Sequence, residues 1–409
     1  MAKERPRFDV SSATSRTNTF GVVPPRPALS LDHLGFAIAV LIGIALFAAP
    51  FATYRATRIA SGEARLMIEA LPMAMAAALV FVSLGVAIGA VLVRDPLSRL
   101  GSAVIGLAVL LPSLGLSAGY LTPADNTFAR VSPSLGFWLL SLAFSLLAVD
   151  ALARMRLGPY GRLAALAVGV SALALLLLSG IWDDLSILRE YHTRADSFWR
   201  EALQHLLLTF GSMAAACLFG IPLGIASHRL RTLRIAVMQG LSIVQTVPSI
   251  ALFGLLMAPL GALAASVPLA AALGVKGIGA APAFIALFLY ALLPIVANTI
   301  AGLSQVPSAV VDAARGMGMS ARQRLVDVEM PLALPVILAG IRIVLVQNFG
   351  LATVAALIGG GGFGTFVFQG IGQTAIDLVL LGAIPTVALS FAASIVLDAL
   401  VDLSKGTPA

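Results

Sequence analysis

The feature that most constrains this chain is a series of long stretches without a charged residue. A helix needs about 20 apolar residues to cross the hydrocarbon core of a membrane, since each residue adds about 1.5 Å. Runs of about this length recur along the whole chain. They predict about ten transmembrane helices, namely Leu34–Pro50, Leu71–Val93, Leu100–Leu121, Leu135–Val149, Leu163–Trp182, Ala202–Ser227, Ile235–Leu260, Ala280–Leu303, Leu332–Ile358 and Ile376–Leu400.

Charge content supports this fold class. Asp, Glu, Lys and Arg make up 11% of the 409 residues, whereas a soluble domain carries about 25%. So little charge does not cover a soluble body of this size, which excludes a soluble enzyme, a disordered chain and a collagen-like protein. We therefore predict an all-α polytopic membrane protein. The single cysteine, Cys217, and four histidines without ligand spacing predict no metal site and no catalytic centre.

Lys and Arg fall mainly on one side of the predicted spans. With the N-terminus in the cytoplasm, the inside segments hold about twice as many basic residues as the outside segments. Both termini are therefore expected in the cytoplasm. This distribution explains the net charge of +7 without a nucleic-acid partner, which would need the charge gathered on one solvated face.

Composition also divides the chain into regions. Residues 1–33 are rich in Arg, Pro, Ser and Thr and predict a disordered cytoplasmic tail. Residues 34–182 form an N-terminal membrane region of about five helices, whose role no motif indicates. Residues 183–201 are charged and are expected to form an external loop. Residues 202–402 hold the other five spans, and residues 403–409 form a second cytoplasmic tail.

A polar segment on the predicted cytoplasmic side, Pro307–Pro331, reads as two short helices that meet at a glycine; we call it the elbow. Ser308 is expected to cap the first helix, and Asp312 to lie near the positive end of its dipole. Ala313 and Ala314 have almost no side chain, so that another protein is able to approach this backbone closely.

The second half of the elbow carries its own signals. Gly318 allows the left-handed geometry of a helix end. Ser320 followed by Gln323 predicts a capping box for the second helix, and Pro331 is expected to close that helix. A capped helix pair by itself is also compatible with an ordinary loop of any membrane protein.

The spacing of the elbow residues resembles a known motif. Asp312-Ala-Ala, then Gly318, then Val328-Glu-Met-Pro331 is similar to the "EAA" loop of ABC-importer permeases, written E-A-A-x3-G-x9-I-x-L-P. Asp replaces Glu, Val replaces Ile and Met replaces Leu, and the spacing is intact. The resemblance implies that this segment is the coupling helix that seats on an ATPase, with the coupling residues Asp312, Ala313, Ala314, Gly318, Ser320, Arg322, Val328 and Pro331.

Further segments narrow the resemblance to permeases of osmoprotectant importers, which carry glycine betaine, choline and related quaternary amines. The match covers about residues 202–402, and long forms with an added N-terminal membrane region occur in that family. It implies that the last five spans form a type I importer core. The segments that carry it are Gln245–Ser249, Leu293–Thr299, Ala313–Met319, Pro331–Ile337, Ala339–Arg342 and Gly359–Gly364.

The resemblance also implies the other subunits of the transporter. It implies two permeases, identical or different, two ATPase subunits that bind ATP and Mg, and a periplasmic or extracellular substrate-binding protein. This chain would then bind no cofactor of its own and would lie in the bacterial inner membrane, in contact with lipid. Its expected function is to move a quaternary-amine osmolyte such as glycine betaine or choline inward.

Polar residues inside the last five spans are candidates for the translocation pathway, because polar groups facing lipid are costly. Hydrogen bonding between helices is the other interpretation. Arg342, inside the ninth span, either extends to the interface or forms an internal ion pair. The pathway candidates are Gln245, Ser249, Asn298, Gln347 and Asn348.

The glycine-rich run Gly359–Gly364 resembles a phosphate-binding loop. That motif requires Lys and then Ser or Thr after the last glycine, whereas Thr365 and Phe366 follow here. We therefore expect a tight turn at the outer end of the ninth span. Its glycines Gly359, Gly362 and Gly364 are candidates for an outer gate.

An ion-gradient-driven secondary transporter with five plus five spans is the main alternative. Such proteins bind the coupling ion near the middle of the bilayer. No Asp or Glu lies at the middle of a predicted span, since Asp150, Asp377 and Asp398 are all near span ends. This disfavours proton coupling and leaves sodium binding by carbonyl groups open. An intramembrane enzyme would need a nucleophile and base at matching spacing, which the sequence lacks.

Overall fold

The computed structural model describes residues 32–57, 60–123, 126 and 128–404. Most of these residues are helical, and within them nine helices are long and apolar enough to cross a membrane. The predicted polytopic helical fold is thereby confirmed. The expected N-terminal tail lies almost wholly outside the described residues, as do residues 405–409, while residues 403 and 404 belong to the last helix.

The first half of the chain contains seven helices and three short strands. Helix α1 has 15 residues and is shorter than the run that predicted it, because the chain turns into a strand soon after Pro50. The elements are α1 His33–Phe47, β1 Ala52–Arg55, β2 Glu63–Arg65, α2 Met67–Ala70, α3 Met73–Leu92, α4 Pro96–Leu121, β3 Arg130–Pro133, α5 Leu135–Arg154, α6 Pro159–Leu178 and α7 Ser186–Thr193.

Helices α1, α3, α4 and α5 form one bundle around an apolar core, in which Leu79, Leu110 and Phe144 are fully buried. Helix α6 stands apart, since none of its residues is buried. It instead packs along the last helix of the chain. A long apolar helix with no buried residue is expected to face lipid over most of its surface.

A small antiparallel sheet in the order β2-β1-β3 covers one end of this bundle. Ala52 pairs with Arg65 of β2 and with Pro133 of β3. The sequence did not predict these strands, because three or four residues are too few to show an alternating pattern.

The opposite end of the bundle is held by one buried arginine. Arg99 forms ion pairs with Asp32 and Asp150 and donates hydrogen bonds to the carbonyl oxygens of Ala90 and Val93. These partners lie next to α1, on α5 and at the end of α3. The guanidinium therefore joins four helices at a single point.

The second half of the chain contains ten more helices and two short irregular turns of helix. The elements are α8 Ala195–Arg229, α9 Arg231–Thr246, α10 Ser249–Ser266, α11 Pro268–Ala272, α12 Ala280–Ser304, α13 Ser308–Gly316, α14 Ala321–Gln323, a π-helical turn Arg324–Glu329, α15 Met330–Val354, a 3-10 turn Ala355–Ile358, α16 Gly364–Gly372 and α17 Ile376–Ser404.

The charged segment 183–201, expected as a loop, is mostly helical. It contains α7 and the first two turns of α8. The loop prediction was wrong because the segment has its own apolar face, with Ile187, Tyr191 and Phe198 packed against Phe363 and Phe366.

The seventh predicted span, 235–260, is not one helix. It consists of most of α9 and most of α10, which meet at a break between Thr246 and Ser249. Val247 is extended and Pro248 precedes α10. The break has a local cause, since a proline disfavours helical geometry in the residue before it.

The helices run between two faces of the molecule. The elbow face carries Pro307–Pro331, and the turn face carries Gly359–Gly364, which we call the glycine turn. Helix α12 is central to the second half and packs against α8, α9, α10 and α15.

The N-terminal region contacts α17 near both faces. On the turn face, Ser132 of β3 donates a hydrogen bond to Asp377 at 2.6 Å, and Arg55 of β1 lies 3.6 Å from the same carboxylate. On the elbow face, Arg162 of α6 pairs with Asp402 at 2.9 Å.

Candidate functional site

The first helix of the elbow, α13, begins without a side-chain cap. Ser308 is its first residue rather than its N-cap, and the N-cap position is taken by Pro307, which makes no capping hydrogen bond. Asp312 lies beyond the first turn, where it is exposed and pairs with Arg315 at 3.4 Å. The predictions that Ser308 caps this helix and that Asp312 lies near its positive end were therefore wrong, because Pro307 takes the N-cap position and no acidic residue lies in the first turn.

The junction after α13 has the predicted geometry. Gly318 has a φ of 81°, a left-handed conformation that favours glycine. The backbone N–H of Met319 donates to the carbonyl of Ala314 at 3.2 Å. The capping box is also confirmed, with Gln323 N–H donating to Ser320 Oγ at 3.3 Å and Ser320 N–H donating to Gln323 Oε1 at 2.9 Å.

Pro331 does not close the second helix, and that prediction was wrong. It lies in the first turn of α15, directly after the π-helical turn Arg324–Glu329. The wider hydrogen-bond spacing of a π-turn is seen in the bond from Met330 N–H to the carbonyl of Leu325. The helix therefore runs from α14 into α15 with a bulge at the proline, and the second half of the elbow is rigidly continuous with a span.

A buried carboxylate fixes the elbow to α8. Glu329 accepts a hydrogen bond from Arg229 at the end of α8 and one from Arg324 in the π-turn, each at 3.0 Å. Glu329 is 6% exposed and Arg324 is 9% exposed. This cluster was not predicted from the sequence, in which the available signal was a charged residue inside the motif Val328-Glu-Met-Pro331.

The outer surface of the elbow combines small and apolar residues. Ala313 is exposed, whereas Ala314 is buried inside the elbow itself. Met317 is 75% exposed and Val326 is 55% exposed. Arg322 is exposed beside them and Val328 is half-buried. An uncovered apolar surface of this kind, rimmed by polar groups, is typical of a protein contact.

Three of the five pathway candidates make hydrogen bonds inside the chain. Gln245 Nε2 donates to the carbonyl of Tyr290 at 2.8 Å and joins α9 to α12. Asn298 Nδ2 donates to the carbonyl of Pro294 in its own helix at 2.8 Å. Asn348 Nδ2 donates to Ser212 Oγ at 2.9 Å and joins α15 to α8. The bonds of Gln245 and Asn348 are contacts between helices.

The other two pathway candidates have different surroundings. Ser249 is the first residue of α10 and follows the break after α9. Gln347 is half-buried on α15, and its amide has no hydrogen-bond partner among the residues that the structure describes. Neither of these two side chains has a hydrogen-bond partner in the part of the chain that the structure describes.

The glycine turn is tight, as expected, and is held by α8. Gly362 has a φ of 85° and its N–H donates to Glu201 Oε2 at 2.6 Å. Gln204 Nε2 donates to the carbonyl of Gly360 at 3.0 Å. A Cβ on Gly362 would lie 2.9 Å from the ring of His205, which is fully buried. The turn therefore leaves no room for a side chain at this position.

The alternative left open for Arg342 is resolved in favour of an internal ion pair. Arg342 of α15 pairs with Asp398 of α17. The pair joins two neighbouring spans on their half-exposed sides, so the arginine does not extend alone to the interface.

Together these contacts make the elbow a stiff lever. Its first helix is closed at Gly318, its second helix runs into α15, and Glu329 ties it to α8. Through these contacts the elbow is connected to both α8 and α15. A loop without these contacts would absorb a displacement.

Two parts of the chain match known families. Residues 216–405 match the family described as "Binding-protein-dependent transport system inner membrane component". Residues 32–188 match the domain described as "ABC transporter permease YehY, N-terminal domain". The second match covers the N-terminal region and the start of α7.

Curated proteins similar to this chain are osmoprotectant permeases. This chain is 42% identical over 181 residues to the osmoprotectant import permease protein OsmW of Salmonella typhimurium. The match covers 44% of this chain and 79% of that protein. It is 35% identical over 187 residues to the glycine betaine/carnitine/choline permease protein OpuCB of Bacillus subtilis, covering 46% and 79%.

Solved ABC transporters are also similar, at a greater distance. A methionine ABC transporter in an inward-facing conformation matches with a TM-score of 0.45 and 21% identity. The match covers 51% of this chain and 96% of that one.

Proposed function

The chain belongs to the osmoprotectant-importer family of ABC transporter permeases, and from this membership we propose that it carries a quaternary-amine osmolyte across the inner membrane. The solute class is supported by the relatives, which are named for osmoprotectants and for glycine betaine, carnitine and choline. Both termini would lie in the cytoplasm, because Lys and Arg concentrate on that side.

The observation that carries the mechanism is the anchored elbow. Its exposed Ala313 and Met317 would seat in a groove of an ATPase chain, which would bind ATP and Mg. Glu329 and its two arginines would then pass the closure of the ATPases to α8 and α15. Neither ATP hydrolysis nor a nucleotide site would belong to this chain.

The remaining partners follow from the same proposal. A second permease, identical or different, would complete the pathway, and a binding protein outside the membrane would deliver the solute. Ser249 and Gln347 are the favoured pathway residues, since the other candidates are engaged in hydrogen bonds. The glycine turn, with Gly359, Gly362 and Gly364, would act as the outer gate.

Uptake of labelled glycine betaine by cells that lack their own transporters tests the proposal. The chain is expressed with its ATPase and binding protein, and Gly318→Val and Ala313→Arg are each expected to abolish uptake while membrane insertion stays normal. Valine is strained at a φ of 81°, and arginine fills the surface meant for the ATPase.

Gly101→Val is the control. It adds the same side chain to an exposed position of α4, outside the elbow, where a Cβ meets nothing within 4 Å and φ is not positive. Its uptake is expected to stay close to that of the parent. Normal uptake in both Gly318→Val and Ala313→Arg would contradict the coupling role, and uptake in the absence of the ATPase would favour the secondary-transporter alternative.

A further inference from the structure

A cavity of about 690 Å³ opens on the elbow face, between the end of α8 and the first turns of α9. It lies outside the elbow, and its lining combines basic, polar and apolar side chains. The residues that matter for its chemistry are Ser227, His228, Arg231, Arg234, Ile235 and Met238.

The mouth of the cavity carries uncompensated positive charge. Arg231 and Arg234 lie one helical turn apart on α9 and are both exposed. Neither forms an ion pair with a carboxylate in the part of the chain that the structure describes. Arg229, two residues earlier, differs in this respect because it is engaged by Glu329 at 3.0 Å. Two neighbouring guanidinium groups without a carboxylate form a typical anion-binding pair.

Two further features of the cavity favour the binding of an anion. Helix α9 begins at Arg231, and its N-cap residue Leu230 provides no side-chain cap, so the N–H groups of the first turn have no side-chain acceptor. Ser227 lines the cavity and is fully buried, and its hydroxyl has no hydrogen-bond partner among the described residues. Buried hydroxyl groups are normally bonded, and an anion in the cavity would provide the missing acceptor.

Part of the cavity lining is apolar. Ile235 and Met238 follow the two arginines along α9 and line the same space, and Ile235 is 52% exposed. A ligand that fits this arrangement has an anionic head and an apolar body. A free anion would satisfy the arginines and leave the apolar wall in contact with water.

We propose that this cavity binds a phosphate ester, held by Arg231, Arg234 and Ser227, and that its source is the headgroup of an anionic phospholipid. Arginine matches phosphate through two parallel hydrogen bonds, and a basic pocket at a helix boundary is the form that lipid headgroup sites take. The acyl chains would then lie along Ile235 and Met238. The site is independent of which solute the protein carries.

The test measures retention of phosphatidylglycerol by the purified full-length chain in detergent, with phosphatidylcholine as the neutral lipid, by native mass spectrometry. Each arginine of the site is expected to strengthen the binding of an anionic headgroup about fivefold. Arg231→Gln with Arg234→Gln is therefore expected to weaken retention by about 25-fold relative to the parent. Ser227→Ala, which keeps both charges, is expected to weaken it severalfold.

Arg156→Gln is the matched control, because it removes one exposed positive charge from the turn between α5 and α6, away from the cavity. Retention in this variant is expected to equal that of the parent. Inorganic phosphate added as a competitor distinguishes the two sources: no displacement supports the lipid headgroup, and displacement supports free phosphate at the same groups. The proposal is overturned if the double variant retains phosphatidylglycerol like the parent, or if Arg156→Gln lowers retention as much as the double variant.

Discussion

At the scale of single residues, buried charge decides the geometry of both halves of the chain. Arg99 is almost completely buried and has two carboxylates and two carbonyl groups as partners. Removing one partner of a buried ion pair costs about 3–5 kcal/mol, because the other charges stay buried without compensation.

Arg99→Met therefore has a large expected effect. It leaves Asp32 and Asp150 without their main partner, and we expect the thermal unfolding midpoint of the detergent-purified protein to fall by roughly 10 °C. Arg156→Met removes an exposed arginine of the same face and is expected to change the midpoint by less than about 2 °C. Equal midpoints for Arg99→Met and the parent would contradict the structural role of the buried guanidinium.

The pH dependence of stability tests the partner carboxylate. Burial opposes ionisation of Asp32, but the N–H of Gly35 and the guanidinium of Arg99 outweigh it and lower its pKa below 3.8. A carboxyl group whose pKa is lowered by folding stabilises the fold at pH values above its unfolded pKa. This contribution is lost as the pH falls through the folded pKa.

Asp32→Asn keeps the helix cap and removes the charge. We expect the stability difference between parent and variant to be constant above about pH 5 and to shrink below about pH 4; a difference that stays constant in acid would contradict this.

At the scale of elements, the elbow is stiff because Glu329 links it to α8. Glu329→Gln keeps the size of the side chain and removes the charge that binds Arg229 and Arg324. Charged hydrogen bonds of this kind contribute about 1.5–3 kcal/mol to the stability of the contact.

In Glu329→Gln we expect uptake to fall about tenfold while the partner ATPase still hydrolyses ATP. Asp327→Asn, in the same turn but exposed, is the matched control and is expected to transport normally. Loss of uptake in both variants would show that charge on the elbow matters rather than this contact.

The elbow also shows which features a sequence predicts. Gly318, Ser320 and Gln323 were predicted because each acts on residues no more than a few positions away. The role of Pro331 was not predicted. The proline follows a π-helical turn in which Leu325 packs against residues of the spans, and this packing is not visible in the local sequence. Arg229, the partner of Glu329 on α8, lies 100 residues earlier in the chain, and no local sequence pattern predicts a contact over such a separation.

The same distinction holds for the spans. Uncharged runs predicted where the long helices lie, because membrane thickness sets their length. Pro248 was the local signal for the break between α9 and α10. A single span was predicted instead, because the residues on both sides of the proline are apolar. The strands of the small sheet were not predictable, since paired residues such as Tyr54 and Val131 are separated by about half of the N-terminal region and each strand is very short.

At the scale of the whole molecule, the N-terminal region is joined to the permease core through α17. Ser132 and Arg55 meet Asp377 near the start of this helix, and Arg162 meets Asp402 near its end. The two contacts differ in burial: Asp377 is 7% exposed, whereas the side chains of Arg162 and Asp402 are 40% and 29% exposed. The contact on the turn face is therefore expected to contribute most of the coupling between the two regions.

Asp377→Ala and Asp402→Ala separate these contributions, because both remove a carboxylate from α17. Asp377→Ala leaves the buried hydroxyl of Ser132 without its acceptor and Arg55 without its partner, at a cost of about 1–3 kcal/mol. Asp402→Ala removes a half-exposed pair, at a cost of less than about 1 kcal/mol. We expect Asp377→Ala to lower the thermal unfolding midpoint more and to speed proteolysis of the segment between Ser179 and Ser186, which connects the regions. If Asp402→Ala had the larger effect on both readouts, α6 rather than the sheet would be the main link, and the N-terminal region would hold the core through its lipid-facing helix.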